Sequence, residues 1–430
     1  MIRNSGFSRI TIEGKVITLI EALNFRSLRY VRQSLGGFHV LIGPNASGKT
    51  TFLDVPAFLG RLVSDGLESA VGERTANFQD LVWRREGWSF ELAIEAAIPE
   101  NLCKQGGNGD YDTIRYEVAV GAHAQTEELS ILAESVLLKK APVAEPPQRD
   151  FFPFLRTPPN TILSPKSSRG SKTVIGKAPD GNAYFCNEAG IDWNHAFKLG
   201  PTKSALGNLP EDESRFPVSI WLKEFLINGL QQIILNSLLI RRASPPGQTR
   251  GFRPDGSNLP WVIFELEKKG SPALGEWIAH LRTALPDLEG IRTVERADDR
   301  HRYMMLMYKD GLEVPSWMAS DGTLRLLALT LPAYLPEFRG AYLIEEPENG
   351  IHPRAVETLF QSLSSVYDAQ ILVATHSPVI LSIVRPEDVL CFAKTEEGAT
   401  DIVRGSEHPA LAEWRGETNL GVIFAAGVLG

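Results

Sequence analysis

The stretch Gly43-Pro44-Asn45-Ala46-Ser47-Gly48-Lys49-Thr50-Thr51 holds the densest chemistry in the chain, with the spacing Gly43-x-x-x-x-Gly48-Lys49-Thr50 of a Walker A loop. Glycines let successive backbone N–H groups turn inward on phosphates, which also meet the positive end of the following helix. Lys49 adds a mobile cation for the β- and γ-phosphates, and the Thr50 hydroxyl is a magnesium ligand. In "GAYLIEEPENG" a short apolar run ends in Glu345 and Glu346. The first acid would hold magnesium through water, and the second would polarise an attacking water. "QILVATHSP" places His376 at the end of another apolar run, where a neighbouring strand would bring its imidazole to the γ-phosphate. In "MASDGTLRLLAL", Ser320 and Gly322 precede a helical pattern and offer a hydroxyl and free N–H groups to an anion on a facing subunit. Each of these last three has a plain counterpart: a solvated strand end, a structural histidine and an ordinary helix cap. Their order behind a Walker A loop is what favours the chemistry.

Positioning these groups requires particular elements. "KVITLIEALN" and "HVLIGP" predict strands, and "GKTTFLDVPAFLGRLV" predicts a helix after the glycines. "WSFELAIEAAI" and "TIRYEVAVGA" alternate like antiparallel strands. From residue 141 the character changes: "APVAEPPQRDFFPFLRTPPNTILSPKSSRGSK" is rich in Pro, Ser and Arg and predicts a long loop. Helical patterning resumes at "VSIWLKEFLINGLQQIILNSLL" and "LGEWIAHLRTALPDL". After residue 300, "TLRLLALTLPAYL" and "RAVETLFQSLSSV" read as helices, with "GAYLIEEP" and "QILVATHSP" as strands. Strand–helix alternation at both ends implies one sheet with parallel strands, built from N- and C-terminal lobes. The expected organisation is therefore an N-terminal lobe at 1–140, an insertion at 141–300 and a C-terminal lobe at 301–430.

The 430 residues are 43% hydrophobic and 22% charged, with a formal net charge of −8, so no global basic field draws the chain onto nucleic acid. Cys103, Cys186 and Cys391 are far apart and lack the close pairing of zinc ligands. The N-terminus shows no charged-then-apolar leader with a small-residue cleavage site, and a reduced cytoplasmic compartment is the expectation. The most apolar stretch, "FLINGLQQIILNSLLI" at 225–240, is broken by Asn and Gln and predicts a buried helix rather than a membrane span.

Together "NFRSL", "IGPNASGKT", "SDGTLRLLAL", "LIEEPENGIHP" and "LVATHSP" resemble the ABC-type ATPases of the SMC, RecF and OLD group. The closer likeness is to the AAA-type ATPases of bacterial phage-defence operons, with "FQDLVWRREGWSFELAIE" and "DGSNLPWVIFEL" adding to it. The likeness spans most of the chain apart from about residues 141 to 215. It implies an α/β P-loop NTPase of ABC-ATPase head type, a mixed sheet flanked by helices with an inserted, mainly helical or irregular region. It implies ATP and magnesium as ligands and hydrolysis as the reaction. Arg26 would touch the nucleotide near its phosphates or base, and the residues from Gly43 through Asn45, Ala46, Ser47, Gly48, Lys49, Thr50 and Thr51 would cradle the phosphates. Gln79 would sense the metal and the attacking water, with Thr50 and Glu345 on the metal itself. Ser320 and Gly322 would act in trans as the signature, Glu346 as the general base, Asn349 and Gly350 as the D-loop, and His376 as the switch histidine. Two positions depart from the usual pattern: Asp321 replaces a glycine of the signature, and Glu345 replaces an aspartate. The acid at Asp321 is expected to weaken a closed state and slow turnover.

The long interval between Lys49 and Ser320 disfavours a transporter ATPase domain, and the chain has no heptads for an SMC arm. Too few residues follow His376 for a Toprim nuclease domain, so the output is expected in a partner, a Toprim-like or HNH nuclease. Three roles stay open at this level. The first is a nucleotide-gated homodimer that controls such an effector in anti-phage defence. The second is a RecF-like DNA-binding repair ATPase, with Arg241, Arg242, Arg250 and Arg253 as its footprint. The third is a scaffold that binds ATP without turnover. The tail "GETNLGVIFAAGVLG" is assigned to packing or partner docking.

Overall fold

A computed structural model describes residues 15–105, 111–141, 151–165, 170–189, 193–248, 251–335 and 338–409. Arg250, parts of the Pro- and Ser-rich stretch and the tail at 416–430 lie outside the described residues. The first third contains β1 (Ile17–Phe25), β2 (Leu28–Ser34), β3 (Phe38–Ile42), α1 (Lys49–Asp65), α2 (Leu67–Gly72), β4 (Ser89–Ala97), α3 (Glu100–Gln105), β5 (Thr113–Ala122) and β6 (Leu129–Lys139). The middle contains β7 (Ser171–Lys177), β8 (Asn182–Cys186), β9 (Trp193–Lys198), α4 (Pro217–Asn228), β10 (Leu230–Ile233), α5 (Ser237–Arg241), α6 (Leu259–Lys268), α7 (Pro272–Leu281) and β11 (Leu288–Glu295). The last third contains β12 (Arg302–Tyr308), β13 (Glu313–Pro315), α8 (Asp321–Thr330), β14 (Ala341–Glu345), α9 (Pro353–Ser364), β15 (Gln370–Ala374), α10 (Pro378–Leu381), β16 (Val389–Lys394) and β17 (Thr400–Arg404).

The central sheet runs β10-β14-β15-β3-β16-β17, parallel except for β17. Its core strands are continuous apolar runs because both of their faces are covered. Alternation sorts them between two cores: Leu41, Leu343, Leu372 and Phe392 face one, and Val40, Ile42, Ile344, Ile371 and Val373 face the other. The first core is closed by α1, whose Phe52, Leu53, Phe58, Leu59 and Leu62 are fully buried, and by an antiparallel sheet in the order β2-β1-β4-β5-β6-β7-β8-β9. The second core is closed by α6, α7, α8 and α9 and by the small sheet β11-β12-β13. Gln370 ties the large sheets together, accepting from Ile17 N at 2.9 Å and donating to Ile17 O at 2.8 Å and Gly36 O at 2.6 Å. The N-terminal β3 thus lies between β15 and β16 of the C-terminal lobe, as the alternation at the two ends predicts.

Two stretches differ from expectation. Residues 225–240 are not one helix: α4 stops at Asn228, β10 pairs in parallel with β14, and α5 starts at Ser237. Gly229 ends the helix, and its carbonyl accepts from Ala341 N at 2.7 Å, so strand pairing at the sheet edge overrides the helical spacing. Residues 141–300, expected as loop and then helix, also carry β7, β8 and β9, which extend the antiparallel sheet beyond β6.

Candidate functional site

The loop between β3 and α1 takes the shape a phosphate cradle needs. Gly48 has φ 103°, and a Cβ there would sit 2.2 Å from Thr400 Oγ1, so only glycine fits against the β16–β17 hairpin. The Thr400 hydroxyl donates to Ser47 O at 2.9 Å and so braces the loop from outside. Lys49 is 7% exposed, and its ammonium donates to Gly43 O at 2.8 Å and Pro44 O at 2.9 Å. Burial pushes its pKa down to about 8, against the pull of Glu346 and Glu345.

Parallel pairing brings the distant acids to this loop. Glu345 ends β14 in register with Ala374 of β15, and its Oε2 accepts from the Thr50 hydroxyl at 2.5 Å. Glu346 adopts φ 45°, pinned by its N–H donating to Ala374 O at 2.7 Å. His376 Nε2 stands 4.0 Å from Glu346 Oε1. Burial, then the Lys49 charge, hold the imidazole below the ordinary histidine value, while Glu346 and Glu348 pull the other way. Asn349 Nδ2 donates to Glu346 Oε2.

These groups share a cleft of about 600 Å³, lined by Arg26, Asn45, Ala46, Ser47, Gly48, Lys49, Thr50, Thr51, Glu345, Glu346 and His376 among others. Its volume suits a nucleotide. Arg26, Ala46, Arg84, Arg85 and Glu346 all line it, and all have positive φ. They are more than half of the non-glycine residues in that region among the described residues, and such strain concentrates at functional sites. Thr50 and Glu345 present adjacent hard oxygen donors, which fits a magnesium ion that takes its other ligands from phosphates and water. Among the described residues no group of three or more His, Cys, Asp or Glu forms a metal cluster.

Other candidates lie elsewhere. Gln79 sits in a short turn, its N–H donating to Asn77 Oδ1 at 3.0 Å; its neighbour Asp80 lines the cleft, and Gln79 does not. Ser320, Gly322 and Asn349 also lie outside the lining of this cleft. Ser320 caps α8, its Oγ accepting from Thr323 N at 3.1 Å, and a Cβ on Gly322 would lie 2.5 Å from Gly350 O. Arg241, read above as a DNA contact, is instead paired with Asp321 at 2.5 Å and donates to Trp317 O at 3.1 Å. Arg242 and Arg253 are exposed, with Arg253 donating to Gln248 at 2.8 Å.

The sequence reading missed several groups. Glu348 Oε1 accepts from the Thr375 hydroxyl at 2.6 Å and from His376 N at 3.0 Å, so it holds the histidine loop. It stands inside the quoted "EEPENG", between residues that had been assigned roles. Asp80, Arg84 and Arg85, which stand in the quoted "FQDLVWRREGWSFELAIE" beside Gln79 but were given no role, also line the cleft, as does Lys394, which belongs to no motif.

The family model described as "AAA domain, putative AbiEii toxin, Type IV TA system" matches residues 38–382, from β3 through α10. The chain belongs to this AAA family. The matched span holds the phosphate loop, both acids and His376. The fold of this AAA protein is similar to an SMC head crystallised with the C-terminal winged-helix domain of ScpA. That likeness has 13% identity and a TM-score of 0.50, and covers 90% of this chain and 96% of the other. An SMC head with an extended coiled coil, bound to the C-terminal domain of ScpA derived from Pyrococcus furiosus, gives 13% identity, 93% and 99% coverage and a TM-score of 0.47. The SMC head domain from Thermotoga maritima gives 10%, 90% and 98%, and 0.42. No helix among the described residues of this AAA protein is long and apolar enough to cross a membrane.

Proposed function

We propose that the protein hydrolyses ATP in this cleft as a nucleotide-gated homodimer and thereby controls a partner effector, a nuclease, in anti-phage defence. The observation that carries the reading is the convergence of Lys49, Thr50, Glu345, Glu346 and His376, drawn from distant segments, on one nucleotide-sized cleft. Lys49 exchanges its two loop carbonyls for the β- and γ-phosphate oxygens of ATP. Thr50 and Glu345 would hold magnesium, which supplies charge neutralisation at the phosphates. Glu346 takes the proton of the attacking water, and a neutral His376 donates to a γ-phosphate oxygen. Asn349 fixes the carboxylate of Glu346 in that task.

The lining of the cleft leaves out Ser320 and Gly322, as a signature that serves the other subunit would require. Dimer closure would bring the N-terminus of α8 to the partner's triphosphate. Hydrolysis would then release the effector. The RecF-like alternative loses Arg241, whose charge is spent on Asp321. Steady-state phosphate release tests the assignment. Lys49→Ala should abolish turnover through lost nucleotide binding. Glu346→Gln should keep binding and lower the rate by ~10²–10⁴-fold. Wild-type rates in both variants would refute the site.

A further inference from the structure

A second cavity, of about 390 Å³, opens at the β10 edge of the central sheet, away from the phosphate loop. Gln231 of β10 and Tyr342 of β14 are register partners in parallel strands, so their side chains stand side by side on one face, about 4.8 Å apart at the backbone. Both line this cavity. Gln231 Oε1 and the Tyr342 hydroxyl are buried and have no hydrogen-bond partner among the described residues, and Tyr342 is 1% exposed. The large majority of buried polar groups are paired, and leaving one unpaired is costly. Two such groups in adjacent register, on residues that line one cavity, make a recognition edge: an acceptor beside a hydroxyl that can donate.

The complementary ligand edge carries a donor next to an acceptor, as in a lactam or an amidine. Aromatic and apolar walls surround that edge. Phe338 lies 4.5 Å from the Tyr342 ring, tilted by 43°, and Phe252 and Leu266 add apolar surface. Glu265 on the wall offsets the charge of Lys269, so the cavity offers no net cation for a triphosphate. An apolar pocket of this size with a few convergent polar groups is the usual form of a small-molecule site. We infer that this cavity binds a nucleobase or nucleoside, held by its hydrogen-bonding edge on Gln231 and Tyr342. The proposal is independent of the ATPase reading. It does add a structural link, because Tyr342 lies on the strand that ends in Glu345.

Isothermal titration of the full chain with adenosine, guanosine, cytidine and uridine in turn, each with excess ATP present, tests it. At least one nucleoside should bind saturably. Gln231→Leu and Tyr342→Phe should each weaken it by roughly tenfold, the loss of one hydrogen bond. Tyr342→Phe removes an unpartnered hydroxyl from a near-isosteric ring, so its unfolding midpoint should not fall without ligand. Three results would overturn the site: no saturable binding of any nucleoside, unchanged affinity in both variants, or displacement of the nucleoside by ATP.

Discussion

The Arg241 guanidinium donates to one Asp321 oxygen from Nε at 3.1 Å and from Nη2 at 2.5 Å, at the first turn of α8, the helix proposed to carry the signature. Read in sequence, an acid at position 321 is a repulsive charge facing a triphosphate. In the fold it arrives already neutralised by a residue far away in sequence. The pair is partly exposed, so its worth to stability is only about 0.2–1 kcal/mol. Its effect should appear in turnover. Arg241→Ala should slow ATP hydrolysis because it uncovers the acid, and adding Asp321→Asn should restore part of the rate. Equal rates for the single and double variants would show that the charge of Asp321 does not reach the phosphate.

Glu348 spans two loops, with one oxygen on Thr375 and on the N–H of His376. It does not line the cleft, so nucleotide affinity should survive its loss. Displacement of His376 by an ångström or so should cost turnover up to ~100-fold in Glu348→Ala. Glu348→Gln keeps a carbonyl acceptor and should recover most of the rate. A fall in ATP affinity that matches the fall in rate would mean the residue only supports the fold.

Lys49 gives a stability signature. Its pKa is about 8 when folded against the ordinary 10.5, so between these values the unfolded chain holds a proton that the native state has lost. Native stability therefore rises with pH across that window, and the burial penalty is fully present below pH 8. Lys49→Met removes the penalty. Its advantage in denaturant unfolding should be largest below pH 8 and should shrink toward pH 10.5. A pH-independent difference would show that the ammonium is not desolvated.

Much of this was legible in the residues. Apolar runs before Gly43, before Glu345 and before His376 announce buried parallel strands, because such strands cannot alternate polar with apolar residues. The Walker A spacing, the acid pair and the histidine come together as those runs predict. What escaped was set by tertiary partners. "LQQI" (Leu230–Ile233) is helical by spacing and becomes β10 because β14 offers an open edge. β7, β8 and β9 are short strands between Pro-, Ser- and Gly-rich turns, and gain their stability from the already formed edge of β6. Arg241 looked like a surface cation because nothing local reveals that Asp321 folds against it. Thr400 and Lys394 serve the phosphate loop from a hairpin with no motif at all.

The central claim is that each ATP is completed by the signature of the other subunit, and subunit mixing tests it most directly. Lys49→Ala keeps Ser320 and Gly322 but cannot hold ATP, whereas a Ser320→Arg variant keeps the phosphate loop and blocks the signature. Each alone should be inactive in phosphate release, and a mixture should regain activity through heterodimers that hold one intact site. A mixture as inactive as its two components, with heterodimers demonstrably formed, would contradict the account.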